Sequence, residues 1–211
     1  MSETLTERLS VGHNYFVANY PPFQAWGPQA IPEIHAALAT PPVSGTPLGV
    51  YLHIPFCRKR CRFCYYKVYT ERSSSEVRRY TDALHAELQL HADSAAIADR
   101  SADFVYFGGG TPSYLSGDEL RRLVAGMKAI LPWSVDAEIT FECEPGTIRW
   151  PKVEALRDIG VTRVSLGVEN FGQSILEANG RAHGEHNIEP AYEMCRRAGF
   201  SQINIDLIAG M

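Results

Sequence analysis

Along residues 49–211 short β-rich apolar runs alternate with longer segments of helical hydrophobic spacing. The first run covers residues 50–56. The capping pattern Ser73-Ser74-Ser75-Glu76 follows, with Val77, Tyr80, Leu84 and Leu88 recurring at helical intervals. Residues 104–107 predict a second strand that ends in Gly108-Gly109-Gly110. A second capping box, Ser116-Gly117-Asp118-Glu119, opens a helix striped with Leu120, Leu123, Val124, Met127 and Leu131. A third strand at 138–143 leads through Glu144-Pro145-Gly146 into a helix near 151–159 that stops at Gly160. Residues 163–168 predict the fourth strand, and helices near Gln173–Ala178 and Ile188–Ala198 stop at Gly180 and Gly199. The fifth strand is predicted at 202–208.

Strands alternating with helices imply an α/β fold with parallel pairing and right-handed crossovers. Within strands three to five the alternation is strict. Ile139, Phe141 and Cys143 oppose Thr140, Glu142 and Glu144; Val164, Leu166 and Val168 oppose Ser165, Gly167 and Glu169; Ile203, Ile205 and Leu207 oppose Asn204 and Asp206. A parallel sheet dry on both faces should read as continuous apolar runs instead. In a barrel the helices cover the outside, so the polar set faces inward, and such a lumen is costly unless a polar ligand fills it. An open antiparallel sheet with one wet face would also alternate, but the helices between successive strands argue against it. No helix follows the last strand, whose apolar face is then left bare. The expectation is a partial (β/α) barrel over residues 49–211, truncated after its fifth strand, in a fragment of a longer protein. Residues 1–48 read as an extended segment packed on that barrel. Pro21-Pro22 and Pro41-Pro42 interrupt any helix there, and Tyr15, Phe16, Tyr20, Phe23 and Trp26 are ill suited to a solvated tail.

Composition narrows the class without naming it. Of 211 residues 45% are apolar and 21% charged, which suits a globular domain and excludes low-complexity readings. The net charge is −4, and no run of like charge suggests a nucleic-acid or membrane-surface partner. No stretch approaches the roughly 18 apolar residues of a spanning helix. The polar start MSETLTERLS lacks the layout of an export signal, so a cytoplasmic location is expected.

Three of the five cysteines lie in Cys57-Arg58-Lys59-Arg60-Cys61-Arg62-Phe63-Cys64, directly after the first strand. Clustered thiols in an odd total point to metal in a reducing compartment, not to a disulfide framework. Three thiolates can hold three corners of a [4Fe–4S] cube and leave one iron open, whereas structural zinc takes four closed ligands. His53 is the one nearby residue that could complete a zinc site, although it falls within a strand. The cations Arg58, Lys59, Arg60 and Arg62 would stabilise a reduced cluster and could dock an acidic electron donor such as flavodoxin or ferredoxin; equally, they could serve only to keep the loop solvated. Cys143 and Cys195 are isolated and read as small buried residues. Gly108-Gly109-Gly110-Thr111-Pro112 ends the second strand at the same end of the barrel, the face where active sites of such folds gather. Its missing side chains let the backbone approach a ligand closely.

Together these residues resemble the radical S-adenosylmethionine (SAM) superfamily from about residue 50 to residue 211. Tyr51-Leu52-His53-Ile54-Pro55-Phe56-Cys57, Phe107-Gly108-Gly109-Gly110-Thr111-Pro112, Ser165-Leu166-Gly167-Val168-Glu169-Asn170-Phe171 and Asn204-Ile205-Asp206-Leu207-Ile208 resemble its oxygen-independent coproporphyrinogen III oxidase-like branch. The resemblance implies that Cys57, Cys61 and Cys64 ligate a [4Fe–4S] cluster whose free iron takes the amino and carboxylate groups of SAM. Reductive cleavage would give methionine and a 5′-deoxyadenosyl radical that abstracts hydrogen from a small-molecule substrate. Tyr51 would lie by the cluster and SAM. Gly109, Gly110 and Thr111 would contact the methionine end and Glu142 the nucleoside, while Glu169, Arg181 and Asp206 match further SAM-contacting positions.

The chain also departs from the branch. Glutamine is usual where Glu169 stands, and the oxidases carry a further cysteine where this chain has Tyr65-Tyr66-Lys67. Related haem chaperones usually follow the third cysteine with Asp or Asn, which is Tyr65 here. Class C radical SAM methyltransferases keep the barrel, vary these flanks and are expected to bind two SAM molecules. Oxidation of a tetrapyrrole, methylation of an aromatic or heterocyclic metabolite and haem carriage all follow from the resemblance, and Tyr65, Tyr66 and Tyr69 are either substrate-facing or packing residues.

Overall fold

The structure is a computed structural model that describes residues 27–211. After a short 3₁₀ turn, helix α1 (Ile31–Leu38) opens the described part, then β1 (Gly49–Ile54), α2 (Ser74–Ala92), β2 (Ala102–Gly109), α3 (Gly117–Ile130) and β3 (Trp133–Cys143). They are followed by α4 (Trp150–Asp158), β4 (Arg163–Glu169), α5 (Gln173–Ala178), α6 (Ile188–Ala198) and β5 (Gln202–Leu207). Helix α1 corrects the expectation of an extended segment at 1–48. Pro32 sits in its first turn, where a missing N–H costs nothing, and the helix ends before Pro41-Pro42. The aromatics Tyr15 to Trp26 lie outside the described residues.

All five strands are parallel, in the order β1-β2-β3-β4-β5. The sheet is not closed, which agrees with a partial barrel. Helices α2, α3, α4 and α6 pack against one another in chain order over one face. That face holds the core, with Leu52, Ile54, Phe107, Phe141, Leu123, Leu156 and Leu166 almost wholly buried. The alternation in strands three to five is thereby explained. Their apolar set meets the helices, and the polar set faces the concave side. On β5 Ile203 packs against the core, while Ile205 and Leu207 stay 37% and 58% exposed.

The first capping box forms as expected: Ser73 caps α2 and Glu76 answers it. The second forms only by half. Ser116 accepts from the Glu119 N–H, but the Glu119 carboxylate turns inward to Arg122 at 2.6 Å, Arg78 at 2.9 Å and the Thr81 hydroxyl. A carboxylate buried between α2 and α3 is held more strongly by two guanidinium groups than by one backbone N–H.

The packing and the first capping box each carry a stability prediction. Phe141→Ala removes a ring that lies 5.0 Å from Phe107, and should lower unfolding stability by about 3–5 kcal/mol in urea titration. Val135→Ala, at a fully exposed position of β3, should change it by less than about 0.5 kcal/mol. The second prediction concerns Glu76. Its carboxyl is held down at about 2 by the Ser73 backbone N–H, then by Arg72 and the Ser73 hydroxyl. A depressed acid stabilises the fold above its ordinary pKa and loses that contribution as pH falls through the depressed value. Glu76→Gln keeps a capping side chain, so its melting temperature should trail wild type at neutral pH and converge with it between about pH 4.5 and 2.

Candidate active site

The cysteine loop and the glycine turn are built against each other. The Gly110 N–H donates to the Ile54 carbonyl at 2.8 Å, fastening the end of β2 to the end of β1. A Cβ on Gly110 would lie 2.9 Å from that oxygen, 3.0 Å from Cys57 Sγ and 3.0 Å from the Phe56 carbonyl. Gly109 holds φ 110°, a conformation closed to other residues, and a Cβ there would run into the His53 ring. Both positions therefore require glycine.

A cavity of about 240 Å³ opens beside this contact. It is lined by Cys57, Cys61 and Cys64, by Gly109, Gly110 and Thr111, and by Glu142, Glu169, Arg181 and Asp206. Ten of the eleven residues singled out from the sequence thus meet on one wall. Tyr51 is the exception: it stands beside the cavity, its ring stacked on Tyr106 at 5.9 Å and its hydroxyl 3.1 Å from His53 Nδ1. His53 does not line the cavity with the thiols, so it is not placed as their fourth ligand.

The strand register explains the polar wall. Glu142, Ser165 and Asn204 are successive cross-strand partners, with Gly167 opposite Asp206 one pleat further on. Glu142 accepts from the Tyr106 hydroxyl at 2.7 Å and from the Gly109 N–H at 3.2 Å. Burial nonetheless pushes its carboxyl above the usual range; those two bonds pull it back, while Asp206 and Glu169 add to the rise. Burial, with Glu142 nearby, raises the Tyr51 phenol to about 12, so it stays a donor at any physiological pH. Asp206 is held by Ser165 at 2.7 Å and Asn204 at 2.8 Å. Glu169 ends β4 at φ 64°, just past a register shift, and that twist turns its side chain into the cavity.

Polar donors reach the sulfurs directly. The Thr111 hydroxyl lies 3.3 Å from Cys57 Sγ, and Arg181 Nη1 lies 3.3 Å from Cys61 Sγ. Burial raises the Cys57 thiol and the Thr111 hydrogen bond opposes it, so a neutral thiol gives way to thiolate when a metal takes the proton's place. Three cysteines on one wall, two of them with donors on sulfur and with a glycine edge instead of a fourth side-chain ligand, fit a cluster with one open iron.

Sequence reasoning missed the ring of residues behind this wall. Buried His183 places Nδ1 2.9 Å from Glu144 Oε1, and Glu144 also accepts from the Gly146 N–H at 3.0 Å. Burial raises the Glu144 carboxyl, but these partners and Arg181 outweigh it and hold the group below its ordinary value. No periodicity singles out His183, which lies in a loop. Tyr106 was legible, since extending the alternation of strands three to five to β2 puts it on the concave side.

Residues 51–211 match the family description "Radical SAM superfamily". The chain belongs to the radical SAM superfamily. Its relatives lie in the coproporphyrinogen III oxidase-like branch. It is 38% identical over 172 residues to "Heme chaperone HemW" of Mycobacterium tuberculosis, covering 80% of this chain and 43% of the relative. It is 33% identical over 168 residues to "Coproporphyrinogen III oxidase, anaerobic 1" of Cereibacter sphaeroides, covering 78% and 36%. Among solved structures, coproporphyrinogen III oxidase (HemN) of Escherichia coli matches with a TM-score of 0.77 and 33% identity, over 88% of this chain and 41% of that one. The chain thus spans less than half the length of these relatives. The superfamily implies a [4Fe–4S] cluster and SAM as cofactors. Among the described residues no helix is long and apolar enough to cross a membrane.

Gly110→Ala tests the contact between the two loops. The added methyl should leave far-ultraviolet circular dichroism unchanged and cut the iron retained after anaerobic reconstitution to less than about half of wild type. Full iron content in this variant would show that the loops can separate without cost.

Proposed function

We propose that the chain carries the SAM-cleaving core of a radical SAM enzyme that acts on a tetrapyrrole or methylates an aromatic or heterocyclic metabolite. The observation that carries this reading is the convergence of three cysteines, the glycine edge and a wall of strand-end carboxylates on one cavity. Cys57, Cys61 and Cys64 would hold the cluster. When bound and reduced, it supplies the electron that splits SAM into methionine and a 5′-deoxyadenosyl radical.

The protein's own residues bind and orient. The bare edge of Gly109 and Gly110 lets the amino-acid end of SAM approach the backbone closely, at a place where no side chain can intrude. Glu142 and Asp206, each fixed by neighbouring hydroxyl or amide groups, present acceptors toward the nucleoside. Glu142, Glu169 and Asp206 together favour a cationic sulfonium over a neutral thioether. Tyr51, Tyr66 and Tyr106 form an aromatic face with His53 beside the cavity, suited to a flat ring. Tyr65, which does not line the cavity, stacks on Tyr66 at 4.5 Å, which favours a packing role for Tyr65 alone. In the methyl-transfer reading a second SAM serves as carbon donor. Arg58, Lys59, Arg60 and Arg62 are all exposed around the cysteine loop and would meet an acidic one-electron carrier.

The HemW relatives favour a second reading, a haem carrier that keeps the cluster. One experiment separates the two. The reconstituted protein is reduced with dithionite, given SAM, and assayed for 5′-deoxyadenosine and S-adenosylhomocysteine; haem is titrated in parallel. Formation of 5′-deoxyadenosine, lost in Cys57→Ala, Cys61→Ala and Cys64→Ala, is the expected outcome. Stoichiometric haem binding with neither nucleoside product would establish the carrier reading instead.

A further inference from the structure

Arg181 is placed with more care than a cavity-lining cation needs. It follows α5 in a segment tied to the cysteine loop, where the Arg62 N–H donates to the Asn179 carbonyl at 2.9 Å. Its own N–H donates to the Leu176 carbonyl at 3.0 Å, and Nη2 donates to the Gly167 carbonyl on β4. These anchors leave Nη1 on Cys61 Sγ at 3.3 Å. On its other side Glu169 Oε1 lies 3.8 Å from Nη2, and the two side chains are only 10% and 16% exposed. Glu169 thus puts a carboxylate beside the cation that touches Cys61 Sγ.

Charge near a cluster sulfur acts on the reduced and oxidised states unequally. Reduction adds an electron spread over iron and sulfur. A positive donor on a sulfur stabilises that added charge and raises the potential, and an anion nearby opposes it. Water screens neither group well at this burial, so the effects persist at physiological salt. We propose that Arg181 and Glu169 are positioning residues that set the reduction potential of the cluster in opposite directions, Arg181 raising it through Cys61 and Glu169 drawing it back down. The inference rests on the function proposed above. It adds a consequence: relative to a glutamine at position 169, the native carboxylate makes the cluster harder to reduce and a stronger reductant once reduced.

The opposed signs make the test specific. The reconstituted protein is titrated with dithionite and redox mediators without SAM, near pH 8 to keep carboxylates charged, and the reduced cluster is followed by electron paramagnetic resonance. Glu169→Gln should raise the ratio of reduced to oxidised cluster at fixed potential, on the order of tenfold, equivalent to about 59 mV for one electron. Arg181→Gln should lower that ratio by a similar factor. Should Arg181→Gln fail to retain iron, Arg181→Lys keeps the charge but loses the fork, and should give a smaller fall. An unmoved ratio in Glu169→Gln overturns the inference, as does a shift of both variants in one direction, which a merely structural disturbance would produce. Wild-type protein that takes up no cluster would overturn the proposed function, and this inference with it. Wild type with a normal cluster and variants at its potential overturns this inference alone.

Discussion

The contact between the end of β1 and the end of β2 organises the whole site. Gly110 donates to the Ile54 carbonyl, and its missing side chain leaves Cys57 Sγ only 3.0 Å from where a Cβ would be. Because the strands are parallel, their carboxyl ends all open on the same side, and whatever is fastened at β1 and β2 faces what β3, β4 and β5 present there. The cysteines come from one loop, the glycine edge from another and the carboxylates from three further strand ends. Only the shared direction of the strands brings them to one cavity.

That wall carries more negative charge than a buried surface normally tolerates. Glu142 and Glu169 are both pushed upward by burial, and each feels Asp206. The fold tolerates the arrangement because Tyr106 and Gly109 donate to Glu142, Ser165 and Asn204 donate to Asp206, and the Arg181 guanidinium lies 3.8 Å from Glu169 as its counter-charge. Such a surface holds a polar, partly cationic guest in a defined orientation with little rearrangement. The His183–Glu144 contact behind it stiffens the wall from the core side.

Much of this was legible in the sequence, for reasons that can be stated residue by residue. Strict alternation in β3 to β5 distinguished helix-facing Phe141 and Leu166 from cavity-facing Glu142 and Ser165, because parallel strands bury one set against helices. The cysteine spacing and the glycine run were legible because their chemistry is local. The limits are equally physical. Helix α1 carries only a short apolar row, Ile31, Ile34 and Leu38, between the Pro pairs, and every residue from Ile31 to Ala37 is exposed, so the prolines outweighed it in the pattern. Half of the second capping box failed because Glu119 found partners on α2, far away in sequence. His183 reached Glu144 across a loop, and no periodicity reports a contact of that kind.

The fifth strand has a practical corollary. Among the described residues one ladder edge of β5 is open, and Ile205 and Leu207 are far more exposed than Val164 and Leu166 on β4. An uncapped, apolar strand border templates the addition of another strand from a neighbouring molecule. Self-association through that border would grow with protein concentration.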